Sequence, residues 1–147
     1  PPFAQTKLVS VIKGKVLDVA VDIRKGSPRF GEHVTVELSG ENKKQVFVPR
    51  GFAHGFSVLS ESALVYYKCS DYYYPEGERG LHWNDPELKI DWRISNPIIS
   101  EKDQNQPLLK DISRDDLFTW VVDFGDKQDS NRISQDKKIA NKGGWKT

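Results

Sequence analysis

Of the three histidines in this chain of 147 residues, His54 has the local sequence that best suits proton transfer. It lies between Gly51 and Gly55, in a segment (48–56) with the sequence VPRGFAHGF. An imidazole exchanges its proton near neutral pH, and a carboxylate partner fixes its tautomer and raises its basicity. The alternative is a turn between two strands, with glycines that supply positive φ angles. The local sequence alone slightly favours the turn, so a catalytic His54 requires a carboxylate nearby.

Two aspartates on one predicted strand are candidates for that carboxylate. Apolar and polar residues alternate over 16–24, which places Leu17, Val19, Val21 and Ile23 on one face and Asp18, Ala20, Asp22 and Arg24 on the other. Asp18 and Asp22 therefore point the same way. The pattern predicts a pairing between His54 and a carboxylate of this strand without deciding which one.

A second group with chemical potential is the run of five tyrosines within residues 66–74. By alternation, Tyr67 shares a face with Val65 and Cys69, which aims its hydroxyl into the interior of a sheet. Most of these rings are expected to serve as core or interface material. One inward hydroxyl would be a suitable proton donor.

A metal site is the rival use of clustered histidines. His33, His54 and His82 show no close His-x-His spacing, and Cys69 is the only cysteine. The spacing therefore argues against metal ligation.

The elements that must position these side chains are mostly β-strands. Apolar residues recur at every second position in several short runs, as expected for an antiparallel sandwich or barrel. The predicted strands cover residues 7–12, 16–24, 33–38, 45–48, 55–59, 63–69 and 117–124. The stretch after Tyr72 is rich in proline and glycine and is predicted to be loop, and residues 126–147 form a polar tail expected to be mobile or loosely docked.

The composition favours one domain and excludes some partners. The chain has 22 Lys and Arg against 21 Asp and Glu, a formal charge of +1. This balance argues against nucleic acid or an anionic membrane as the main partner. A single cysteine excludes an internal disulfide and favours a reducing, cytoplasmic setting.

Several ordered segments together resemble dTDP-4-dehydrorhamnose 3,5-epimerases. They are residues 1–9, 16–24, 27–31, 39–42, 48–56, 67–73 and 83–86, and the resemblance covers about 1–117. It implies an all-β cupin jelly roll with a loop-rich C-terminal part, usually a homodimer, that needs no metal and no organic cofactor. It also implies a substrate, a 4-keto-6-deoxyhexose linked to deoxythymidine diphosphate (dTDP), that is epimerised at C3 and C5. The cupin domain would span 1–117, followed by a strand and polar tail over 118–147.

The same resemblance assigns roles to seven residues. Tyr67 matches the family's acid, and Lys7 matches a lysine near the keto oxygen. His54 matches an active-site histidine with Asp18 as its carboxylate partner. The remaining matches are Asp103, which resembles the aspartate that orients the catalytic base, and Lys102 and Tyr72, which resemble contacts to the nucleotide.

One departure from the family concerns the base itself. In the family the catalytic base is a histidine in a motif that precedes the Pro-Pro pair, which here occupies positions 1 and 2. The chain also contains no methionine. We therefore expect this sequence to start inside a longer protein. Residues 79–83 are similar by eye to the motif that carries the base. We interpret this similarity as a coincidence and do not assign the role of the base to His82. The alternatives are a one-carbon epimerase or ketoisomerase, an inactive sugar-nucleotide-binding cupin and, third, a metal-dependent cupin.

Overall fold

The computed structural model describes residues 5–72 and 75–121. Six β-strands occur in this part of the chain: β1 (Lys7–Lys13), β2 (Lys15–Asp22), β3 (His33–Ser39), β4 (Gln45–Val48), β5 (Phe52–Val58) and β6 (Leu64–Cys69). One short α-helix, α1 (Glu101–Gln104), and three single-turn 3₁₀ helices (Pro75–Gly77, Leu109–Asp111 and Arg114–Asp116) follow. The predominance of strands and the loop-rich part that follows them confirm the predicted all-β fold.

The strands form two antiparallel sheets of three strands each among the described residues. In sheet A the order is β4-β1-β6, and in sheet B it is β3-β2-β5. β1 and β2 are consecutive in the chain but belong to different sheets, and Gly14 lies between them with a φ of 78°. A Cβ at Gly14 would lie 2.1 Å from the carbonyl oxygen of Ser62, so only glycine fits this turn.

Two apolar clusters hold the layers together. Between the sheets, Val9 and Val11 of β1 pack with Val16 of β2 and Leu38 of β3. On the outer side of sheet B, three other residues of β2 pack against Leu88 and Leu109 of the C-terminal part; they are Leu17, Val19 and Val21. The middle strand β2 is therefore buried on both faces, and its polar face is turned to the interior of the sandwich rather than to solvent.

Three strand predictions need correction. β2 ends at Asp22 and not at residue 24, because the Arg24 N–H bonds to the Asp22 carboxylate and leaves the strand pairing. β5 begins at Phe52, not at Gly55, because residues from Phe52 onward already pair with β2. His54 thus lies within a strand, and the turn precedes it at Gly51, where φ is 84°. The strand predicted over 117–124 is absent from 117–121, where Thr119 makes one isolated parallel bridge to Lys25. The rest of that run and the tail (122–147) lie outside the described residues. No helix in the described part of the chain is long and apolar enough to cross a membrane.

Candidate active site

The interior of the sandwich changes from apolar to polar along the strands. Near the Gly14 turn the inward side chains are valines and leucine, including Val11 and Val16. Because side chains alternate along a strand, Lys7 lies on the inward face of β1 two positions before Val9, and Asp18 lies two positions after Val16. The end of the sandwich away from Gly14 is therefore lined by groups that carry charge.

On the sheet B side of this polar end, His54 contacts Asp18. The imidazole Nε2 lies 2.8 Å from Asp18 Oδ2, and the side chains are 11% and 1% exposed. The register explains the contact, because His54 pairs with Ala20, which makes Asp18 its diagonal neighbour. A nitrogen that faces a carboxylate carries the proton of a neutral imidazole, so Nδ1 is left as an acceptor. The structure thus selects Asp18 from the two candidate aspartates.

On the sheet A side, Lys7 and Tyr67 are diagonal neighbours. Lys7 of β1 pairs with Cys69 of β6, and Val9 pairs with Tyr67. Tyr67 shares the inward face with Val65, which packs on the inter-sheet core, yet its side chain is 59% exposed. Within residues 5–72 and 75–121, neither the Lys7 ammonium nor the Tyr67 hydroxyl has a hydrogen-bond or ion-pair partner.

The two walls carry complementary chemistry. One wall offers an ammonium and a phenol, and the other offers an imidazole supported by a buried carboxylate. A phenol and an imidazole transfer protons, and an ammonium stabilises an oxyanion. Such a set suits proton transfer next to a carbonyl group.

A third polar cluster, which the sequence patterns did not identify, lies further along β2. Asp22 is 3% exposed and accepts hydrogen bonds from Arg24 Nε (2.9 Å), Arg24 Nη2 (2.6 Å) and Ser27 Oγ (2.7 Å). Burial alone would raise the pKa of Asp22, but the hydrogen bonds from Arg24 and Ser27 and the charge of Arg24 lower it from 3.8 to about 2. The signal in the sequence was an arginine two positions after an aspartate, followed by a Ser-Pro turn.

The other predicted site residues lie outside these walls. Asp103 belongs to α1, where its carboxylate accepts a hydrogen bond from Ser100 Oγ (2.7 Å). Lys102 is the neighbouring residue of α1 and forms an ion pair with Glu78. Tyr72 is 93% exposed, and its carbonyl oxygen accepts a hydrogen bond from Gln5. Asp103 and Tyr72 form no hydrogen bond or ion pair with His54 or Asp18 among the residues that the structure describes.

His82 takes a structural position. Its backbone N–H donates to the carbonyl of Pro107 (2.8 Å), its Nδ1 accepts from the Asn84 N–H (3.2 Å), and its ring stacks on Trp83. An open cavity of about 470 Å³ on the outer side of sheet B, next to Leu88 and Leu109, contains none of the predicted site residues. No group of three or more His, Cys, Asp or Glu side chains in the described ranges is arranged to hold a metal ion.

Comparison with known proteins places the chain in a family. The sequence profile of dTDP-4-dehydrorhamnose 3,5-epimerases matches residues 1–111. The chain belongs to the dTDP-4-dehydrorhamnose 3,5-epimerase family. The dTDP-4-dehydrorhamnose 3,5-epimerase of Shigella flexneri is 53% identical over 104 residues, which make up 71% of this chain and 58% of that protein. The predicted family is thereby confirmed.

Solved structures of family members share the fold. A dTDP-6-deoxy-D-glucose-3,5-epimerase from Legionella pneumophila, in complex with dTDP-4-keto-L-rhamnose, is similar with a TM-score of 0.78 and 53% identity over 80% of this chain and 63% of that one. A 3'-monoepimerase from Streptomyces bikiniensis, in complex with dTDP-quinovose, has a TM-score of 0.76 and 32% identity over 95% and 66%. These neighbours confirm the predicted cupin-type sandwich. The chain spans about three-fifths of the length of the curated relatives it matches.

Proposed function

We propose that this chain forms part of an enzyme that epimerises C3 and C5 of a dTDP-linked 4-keto-6-deoxyhexose, giving dTDP-4-dehydrorhamnose. The observation that carries the proposal is the placement of Lys7 and Tyr67 on one wall of the sandwich and of the His54–Asp18 pair on the other. These four residues stand in a chain that is 53% identical to a 3,5-epimerase over 104 residues.

The chemistry is removal of a proton next to the C4 ketone and its return from the opposite face. Removing that proton turns the ketone into an enolate, with negative charge on the C4 oxygen. Lys7 stabilises this oxygen, because an ammonium placed where charge develops lowers the barrier. Tyr67 returns a proton to carbon as the general acid. His54, oriented by Asp18, faces the same space and offers its Nδ1 as an acceptor to a hydroxyl group of the sugar.

Three further residues complete the proposed site. Asp103 orients the catalytic base, which in the family is a histidine of a motif that precedes the Pro-Pro pair. Lys102 and Tyr72 contact the nucleotide part of the substrate. These three roles are supported by the match to the family and, for Tyr72, by an exposed ring that is suited to stacking.

The test is solvent deuterium exchange with the full-length protein that contains this chain. Incubation with dTDP-4-keto-6-deoxyglucose in D₂O is expected to place deuterium at both C3 and C5, as measured by NMR and mass spectrometry. The matched control is the same protein with Tyr67→Phe. If the protein binds the sugar nucleotide and exchanges neither carbon, the proposal is wrong and an inactive binding protein is the better description.

A one-carbon epimerase is the second candidate, because a 3'-monoepimerase shares the fold with a TM-score of 0.76. The higher identity to the 3,5-epimerases favours the two-carbon reaction. Exchange measured separately at each carbon distinguishes them, since a monoepimerase labels only C3.

The proposed setting is a cytoplasmic homodimer that acts on a small nucleotide-linked sugar, without nucleic acid or a membrane as partner. Three exposed apolar side chains on the outer face of sheet A support a subunit contact: Ile12, Phe47 and Leu64. Sedimentation of the full-length protein is expected to show a dimer, and a Phe47→Lys substitution on this face is expected to weaken it.

A further inference from the structure

Arg24 and Asp22 form a bidentate salt bridge, the Asp22–Arg24 fork, at the end of β2. The guanidinium Nε–H donates to Asp22 Oδ1 and Nη2–H donates to Oδ2, at 2.9 and 2.6 Å. The backbone N–H of Arg24 and the hydroxyl of Ser27 also donate to this carboxylate, so both oxygens are fully used. A planar fork of this kind fixes the orientation of the arginine, which a lysine ammonium does not reproduce.

The other side of Arg24 holds the start of β5. Its guanidinium carbon lies 4.6 Å from the centre of the Phe52 ring, and Phe52 pairs with Asp22 in the register of β2 and β5. The stem of Arg24 packs under Gly51, where a Cβ would lie 2.6 Å from Arg24 Cγ. The Ile23 N–H donates to the Gly51 carbonyl at 3.4 Å. Arg24 therefore touches the two residues at which the chain turns into β5.

His54 follows Phe52 by two positions on the same inward face. Its contact with Asp18 depends on how β5 is aligned along β2, and that alignment is set where β5 begins. A change in the Gly51–Phe52 turn would propagate directly to His54, because only Ala53 separates the two side chains along the strand. The Asp22–Arg24 fork lies within the segment at the end of β2, and the guanidinium that it holds reaches β5 through its contact with the Phe52 ring.

We propose that Arg24 is a positioning residue for His54: held by Asp22, it fixes the Gly51–Phe52 turn so that the imidazole reaches Asp18. The inference deepens the proposed function, since it assigns the pairing of His54 to a residue outside the four that face the substrate. Arg24 acts through the strand that carries the histidine.

The test compares Arg24→Lys with Arg29→Lys in the full-length protein. Arg24→Lys keeps the positive charge and removes the fork. Arg29 is an exposed arginine whose contact to Glu32 is long, at 3.9 Å, which makes its substitution a matched control. We expect Arg24→Lys to lower kcat by about tenfold or more with little change in KM, because small misplacements of a catalytic group cost rate rather than binding. Arg29→Lys is expected to change neither.

A second readout does not depend on turnover. The Nε2–H proton of His54, hydrogen-bonded to Asp18, is expected to give a slowly exchanging low-field NMR signal, assigned through its loss in His54→Gln. This signal is expected to shift or broaden in Arg24→Lys and to persist in Arg29→Lys. If the wild-type protein exchanges no deuterium, the proposed function fails, and the NMR comparison alone still decides the role of Arg24.

A milder variant covers the case in which Arg24→Lys does not fold. Phe52→Leu keeps the fork and removes the ring over which the guanidinium lies, and it is expected to change the His54 signal and kcat in the same direction by less. An Arg24→Lys protein, or in its place a folded Phe52→Leu protein, with wild-type kcat and an unchanged His54 signal overturns the proposal.

Discussion

The Nε2 atom of His54 lies 2.8 Å from Oδ2 of Asp18, although 36 positions separate the two residues in the sequence. The contact is possible because β2 and β5 are hydrogen-bonded neighbours and Ala20, opposite His54, leaves room for the imidazole to lean toward Asp18. With 1% of its side chain exposed, Asp18 has little access to water and depends on His54 as its partner.

Replacing Asp18 with asparagine is expected to reduce the rate of epimerisation. The amide keeps the shape of the carboxylate, but its nitrogen is a donor and its oxygen carries no charge. It therefore stabilises the Nε2–H tautomer of His54 less than the carboxylate does. We expect kcat to fall by about 10²-fold or more, measured as deuterium incorporation with the full-length protein. Asp111→Asn, at an exposed position in the second 3₁₀ helix, is the control and should leave the rate unchanged. Equal rates in the two variants would exclude a role for the pair in the reaction.

Removing the hydroxyl of Tyr67 is expected to impair catalysis without unfolding the protein. Its side chain is 59% exposed, so Tyr67→Phe should change the free energy of unfolding by less than about 0.5 kcal/mol. As the proposed acid, it is expected to contribute about 10²–10⁴-fold to the rate. Denaturant titration and exchange kinetics on the same sample measure the two effects.

The neighbouring tyrosine supplies the matched control. Tyr66 is 49% exposed and lies on the outer face of the same strand, because alternation turns it away from the interior. Tyr66→Phe should leave the rate as in the wild type. A similar loss of activity in both variants would show that the phenols act on folding or solubility, not on proton transfer.

The strands were predictable where apolar residues alternate. Residues 45–48 form β4 as predicted, and β1 and β3 each extend the predicted run by one residue. The start of β5 was not predictable, because Phe52-Ala53-His54 is flanked by glycines and lacks the alternation that indicates a strand. Its pairing comes from β2, which offers partners for every residue from Phe52 to Val58.

Alternation also predicted the shared face of Asp18 and Asp22, but not their different partners. Partner choice depends on what the register brings opposite each residue: His54 lies diagonal to Asp18, whereas Asp22 lies at the strand end, where the chain folds Arg24 back onto it. The burial of both carboxylates was also not predictable from the sequence, because the polar face of a strand normally faces solvent. Here it faces a second sheet.

Neutralising Lys7 is expected to affect the chemical step more than substrate binding. Its ammonium belongs to the inward face of β1, beside Tyr67, and is proposed to meet charge that develops only as the enolate forms. Lys7→Met should lower kcat by about 10²–10³-fold and change KM less. Lys68→Met is the control, because Lys68 pairs with Leu8 and shares its outer face. A large rise in KM with an unchanged kcat would instead assign Lys7 to ground-state binding.

Asp22 is expected to make the fold sensitive to acid. Its pKa is about 2 in the folded chain against an ordinary 3.8, so the unfolded chain binds more protons between these values. The stabilisation is complete above about pH 5 and is lost as the pH falls toward 2, an effect of about 2 kcal/mol. Denaturant titrations between pH 2 and 7 of wild type and Asp22→Asn should therefore give stabilities that converge as the solution is acidified. The exposed Asp91→Asn variant should instead track the wild type at every pH. A wild-type advantage over Asp22→Asn that stays constant down to pH 2 would show that the fork stabilises the fold without its charge.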